Sequence, residues 1–160
     1  MIKKLFLRVD ANHSIGFGHL VRSVSLSKYL RDSEIEVIFV CRFIDMDSLQ
    51  KIAKFTVYKI DDESDILQYL SGSEEVVLFD ISHQSTMTSP EELVKLLSVL
   101  NQQKVKTILI DGSSEDDCLH KRSETSASVV IIPYPYASHE KYFKTDFNTF
   151  LFDLEYFVFQ

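Results

Sequence analysis

An α/β fold, a parallel sheet with helices on both faces, is predicted by three observations on the 160 residues of the chain. Hydrophobic runs of strand length recur from end to end, helical patterns stand between them, and no repeat or linker interrupts the alternation. The length is that of one domain with a core of its own.

Taken in order, the strand runs are residues 5–9, 37–41, 56–60, 76–79, 107–110 and 129–132. Each is short, rich in β-branched or aromatic residues and bounded by polar or charged ones, which suits six strands of one sheet buried on both faces. A helix is expected over residues 19–31. At about 100° per residue its Leu20, Ser23, Val24, Ser27 and Leu30 share one face with Leu26 at the edge, and the small serines permit close approach to the sheet. Ser89-Pro90-Glu91-Glu92 opens a second helix running to about Gln102, with Ser as N-cap, Pro in the first turn and Glu three residues after the cap. Shorter helical segments are expected at 46–54 and 65–70, the latter ended by Ser71-Gly72-Ser73.

Composition excludes several classes. With 45% hydrophobic and 26% charged residues, 4 Gly and 3 Pro, the chain is neither disordered nor collagen-like. Its apolar residues fall in runs too short to span a membrane. The first ten residues are too charged for the apolar core of a signal peptide, so a cytoplasmic protein is expected. Cys41 and Cys118 have neither the spacing of a disulfide framework nor that of a zinc site. A net charge of -7 argues against a nucleic-acid partner. The charge is uneven: 10 Lys and Arg stand against 6 Asp and Glu over residues 1–60, and 7 against 18 over the remainder. Either the surfaces are unevenly solvated, or the amino-terminal third faces an anionic ligand.

The segment from Arg8 to Arg22 joins the first strand to the first helix, and ligands of open α/β sheets bind outside the carboxyl ends of strands. It holds Gly16 and Gly18, which permit backbone conformations closed to other residues, and it leads into a helix whose first N–H groups can meet an anion. It is not a Gly-x-Gly-x-x-Gly dinucleotide fingerprint, because position 21 is Val, nor a P-loop, because Gly-Lys-Ser/Thr is missing. His19 opens the helix, where the positive end of the helix dipole disfavours a further positive charge, so its ring is a candidate general base; the alternative is a ring that hydrogen-bonds a strand carbonyl. Arg8 and Asp10 flank Val9 at the end of the strand, and a structural ion pair with Arg22 is one use for them.

Arg8-x-Asp10, then Ile15-Gly16-Phe17-Gly18-His19, then Arg22 resembles the amino-terminal signature of the bacterial UDP-sugar hydrolases of the pseudaminic acid pathway and the related spore coat polysaccharide biosynthesis proteins. Val77-Leu78-Phe79-Asp80 and Ile108-Leu109-Ile110-Asp111 resemble that family's later strands ending in Asp, more weakly, and the segment 151–159 resembles its lead into a second domain. The resemblance implies a Rossmann-like lobe of the two-domain, GT-B glycosyltransferase type. His19 would be the base that activates water against the anomeric carbon of a UDP-sugar, without cofactor or metal. Arg8, Asp10, Gly16, Phe17, Gly18, Arg22 and Asp80 would bind or position substrate. The pattern departs after Asp80, where Ile81-Ser82-His83 replaces a tyrosine, and His83 is either a polar contact in its place or a solvated loop histidine. Further departures are Asp111-Gly112 and Pro133-Tyr134-Pro135-Tyr136.

Six of the twelve Phe lie after Tyr142. So apolar a segment either closes the sheet as a last strand or covers another body, such as a second-domain polypeptide that would grip the nucleotide. The family likeness implies that residues 1–160 correspond to the sugar-facing lobe alone, with little or no turnover by itself. Two other readings stand beside it: one half of a glycosyltransferase, and a non-catalytic binding or assembly module.

Overall fold

The computed structural model describes residues 1–81, 89–110, 125–133 and 149–152, the side chains of Phe150 and Phe152 excepted. Its centre is a sheet of seven strands, all parallel: Lys4–Val9 (β1), Glu36–Cys41 (β2), Thr56–Lys59 (β3), Glu75–Asp80 (β4), Lys106–Ile110 (β5), Val129–Ile132 (β6) and Thr149–Phe152 (β7). They lie in the order β3-β2-β1-β4-β5-β6-β7. The six runs read from sequence are β1 to β6 within a residue or so at each end. The seventh strand is the tail segment, whose residues 149–152 pair with β6.

Burial explains which strands are central. β4 is buried at every position and β1 at all but its first, whereas β3 at the edge has no fully buried residue. Successive residues of a strand face opposite sides, and the two resulting faces carry separate cores. Phe6, Ile38, Val40, Val77 and Phe79 face one side, where they meet Leu93, Leu97 and Leu100 of the helix Pro90–Gln102 (α3). Leu5, Leu7, Val9, Phe39 and Leu78 face the other, against Leu20 of the helix Gly18–Tyr29 (α1) and Ile52 of the helix Met46–Ile52 (α2). Each fully buried Leu or Phe contributes about 1.5–3 kcal/mol, so the three leucines of α3 alone seat that helix firmly.

The helix ends follow local chemistry. Ser89 caps α3 by accepting the Glu92 N–H at 3.1 Å, with Pro90 in the first turn as the sequence predicts. Asp45 caps α2, accepting the Ser48 N–H at 2.8 Å. The segment read as a helix at 65–70 is a 3-10 turn, Glu63–Tyr69, closed at its start by Asp62 and Asp65 in a reciprocal capping box. On α1, Ser23 and Ser27 are buried with Leu20, while Val24, Leu26 and Leu30 are only half-buried. The Ser27 hydroxyl donates to the Ser23 carbonyl at 2.7 Å, so the small side chain turns back on its own helix and leaves room for close packing.

The strand order has one consequence for function. From β1 the chain runs outward to β3, and from β4 it runs outward the other way to β7, so the winding reverses between β1 and β4. At such a reversal the connections leave in opposite directions and open a crevice at the carboxyl ends of the two strands.

Candidate active site at the reversal of the sheet

Register decides which face each end residue serves. Val9 stands beside Asp80, and Arg8 beside Phe79 and Val40. Asp80 therefore points to the α1 face, whereas Arg8 and Asp10 point together to the α3 face.

On the α1 face Asp80 is 1% exposed, and three bonds hold its carboxylate. His19 Nδ1 lies 2.8 Å from Oδ1. Arg22, one turn further along α1, donates from Nε to Oδ2 at 2.8 Å and from Nη2 to Oδ1 at 2.5 Å. A carboxylate only accepts, so the shared proton resides on Nδ1, and in the neutral ring Nε2 is then the nitrogen that carries the lone pair. Arg22 Nη2 also approaches Nδ1 at 3.3 Å, but two donors cannot bond each other; that approach follows from their sharing Oδ1. The His19 side chain is 25% exposed, so the ring is gripped on one edge and open to solvent. The strand-carbonyl alternative for His19 gives way to a carboxylate partner, and Arg22 pairs with Asp80.

The loop before α1 is compact. Gly16 adopts φ +87, a conformation that disfavours any other residue, and donates its N–H to the Asn12 carbonyl at 2.8 Å. Asn12 Oδ1 accepts from the N–H groups of Ser14 and Ile15, each at 2.9 Å. Gly18 has open space where a Cβ would stand. Phe17 occupies the N-cap position of α1, supplies no side-chain cap, and meets the His13 ring edge-on and the Lys51 ammonium 4.5 Å from its centroid. With no acidic residue in its first turn, α1 presents an amino end suited to a negative charge.

On the α3 face lies a second cluster, of a different kind. Arg8 is 0% exposed and makes paired bonds to two carboxylates: to Asp10 at 2.6 and 2.8 Å, and to Glu63 at 2.8 and 2.5 Å. Burial alone would lower the affinity of the guanidinium for its proton, but the hydrogen bonds it donates to Glu63 and Asp10 outweigh it and raise the value. Arg42 lies 3.7 Å from Glu63 and 3.2 Å from Glu92. Expected to touch substrate, Arg8 is instead enclosed, because both of its counter-charges lie inside the fold.

Of the residues singled out from sequence, His19, Arg22 and Asp80 come together, Arg8 and Asp10 form the separate inner cluster, and Gly16, Phe17 and Gly18 shape the loop over the crevice. His83, Asp111 and Cys118 lie outside the described residues. Sequence reasoning missed Glu63, Arg42 and Glu92. One signal was there: the first five of the six predicted strands are followed in turn by the charged residues Asp10, Arg42, Asp61, Asp80 and Asp111. Among the described residues no group of His, Cys, Asp and Glu is arranged to hold a metal ion, and no helix is long and apolar enough to cross a membrane. No protein-family model, curated protein or solved structure matches the chain.

Proposed function

We propose that this domain activates water for hydrolysis of a nucleotide sugar, with His19 as the general base. The observation that carries the reading is the bond from His19 Nδ1 to Asp80, at the carboxyl ends of β1 and β4, where a ligand of this sheet would lie. Asp80 fixes the tautomer and the ring plane, as the carboxylate does in any carboxylate–imidazole pair, and Arg22 fixes the carboxylate from its other side. His19 Nε2 takes a proton from water while the water oxygen bonds to the anomeric carbon. The bond from that carbon to the diphosphate oxygen breaks, and UDP leaves with the electron pair. Attack from the face opposite the diphosphate inverts the anomeric centre. Asp80 then stabilises the imidazolium until it sheds the proton to solvent. The uncapped amino end of α1 favours the anionic substrate.

The test is UDP release from a UDP-diacetamido-trideoxy-altrose and from UDP-N-acetylglucosamine, with wild type and His19→Ala, each alone and with an added second-domain polypeptide. The reading expects turnover that falls about 10²- to 10⁴-fold in the variant, the usual worth of a positioned base. Equal rates for the two proteins overturn the base assignment. Transfer of the sugar to an added acceptor in place of water identifies one half of a glycosyltransferase. Binding without turnover on either substrate, with the second-domain polypeptide added as well as without it, identifies a binding module.

A further inference from the structure

Asp10 is 3% exposed, and its carboxylate is spent on two things. Both oxygens receive Arg8, and Oδ1 also accepts the backbone N–H groups of Arg42 and Phe43, each at 2.9 Å. Those two residues open the connection from β2 to α2. That connection supports the loop carrying His19 at both of the loop's ends. At the start, the Ala11 N–H donates to the Phe43 carbonyl at 2.9 Å and the Ala11 carbonyl accepts the Asp45 N–H at 3.2 Å, forming a bridge between Ala11 and Ile44. At the end, Phe17 rests on Lys51 of α2. Between them the Asn12 turn keeps the loop short.

We propose that Asp10 is a positioning residue for His19: its carboxylate, seated on Arg8, clamps the N–H groups of Arg42 and Phe43, so that residues 42–51 act as a splint for the loop that delivers the imidazole to Asp80. Asp10 touches neither His19 nor Asp80 and works through backbone on the opposite face of the sheet. The activity arm of the proposal rests on His19 being the base; the structural arm does not.

The experiment is long-range ¹H–¹⁵N NMR of the histidine rings on the full chain, with UDP release measured in parallel. Wild type is expected to show His19 with Nδ1 protonated and Nε2 bare. In Asp10→Ala that signature is lost to tautomer averaging, and UDP release falls on the order of 100-fold through kcat. Asp10→Asn retains a carbonyl oxygen able to accept both N–H groups and is expected to keep the wild-type signature. If Asp10→Ala does not fold, Arg8→Met with Asp10→Leu and Glu63→Gln removes the stranded charges together with the clamp, a replacement buried ion networks tolerate. A wild-type His19 signature in either folded clamp-free variant overturns the proposal, and so does loss of the signature in a folded Asp10→Asn. A wild type that releases no UDP even with an added second-domain polypeptide removes the hydrolase reading, while the ring signature still decides the part played by Asp10.

Discussion

His19 Nδ1 and Asp80 Oδ1 stand 2.8 Å apart although 61 residues separate them in the chain, and the contact joins the first turn of α1 to the last residue of β4. Parallel pairing of β1 with β4 creates it, by placing Val9 beside Asp80 so that the carboxylate emerges directly under the helix that β1 feeds.

Asp80→Asn tests that contact. An amide of the same shape keeps one acceptor but offers Arg22 and His19 a donor, so the ring loses its reason to hold the proton on Nδ1. UDP release is expected to fall about 10²-fold or more. Steady-state kinetics across pH check it. Unchanged kinetics would detach Asp80 from the chemistry.

Arg8→Met tests the inner cluster through stability. The substitution leaves the carboxylates of Asp10 and Glu63 facing each other in the core, and removing one partner of a buried ion network costs about 3–5 kcal/mol. Adding Glu63→Gln and Asp10→Asn is expected to recover most of the loss, since the stranded charges go with their partner. Urea denaturation of the single and triple variants measures both steps; a single variant within about 1 kcal/mol of wild type contradicts the account.

Glu75 ties the fold to acid pH. Although it is buried, which pushes a carboxyl up, bonds from the Ser71 N–H, the Ser71 hydroxyl and the Gly72 N–H, at 2.6, 2.7 and 3.1 Å, prevail and hold it below the usual range. A group whose folded value is depressed adds stability above its unfolded value, about 4.3, and loses it as pH falls toward the folded value. Wild type is therefore expected to lose stability below about pH 4.5 more steeply than Glu75→Gln. Chemical denaturation at a series of acid pH values compares the slopes, and parallel curves would rule the contribution out.

Cys41 is expected to be inert. Its thiol is fully enclosed in the core facing α1 and α2, and burial pushes it up to about 12, so the thiolate is absent at neutral pH. In a Cys118→Ser background, a thiol reagent should label Cys41 only after urea unfolds the chain. Labelling of the native protein at the rate of a free thiol would place Cys41 elsewhere.

The amino-acid order determined the element plan. Strand runs such as 5–9 and 129–132 are legible because residues buried on both faces leave an uninterrupted apolar signature, and α3 is legible because Ser89, Pro90 and Glu92 write its start in local chemistry. Residues 65–70 read as a helix and fold as a 3-10 turn, since a short segment takes its winding from the Asp62–Asp65 cap. The loop from Asp10 to His19, and the charged residue after each of the first five predicted strands, were likewise open to reading. What tertiary structure alone decided is partnership. Which carboxylate meets His19, and that Asp10 pairs with Arg8 and not with Arg22, depend on strand order and on which face of the sheet a residue's parity assigns it. Charges attract in every direction, so nothing local in the sequence selects among two dozen acidic residues. Packing selects, by bringing β1 and β4 side by side and burying only those pairs that its register brings into contact.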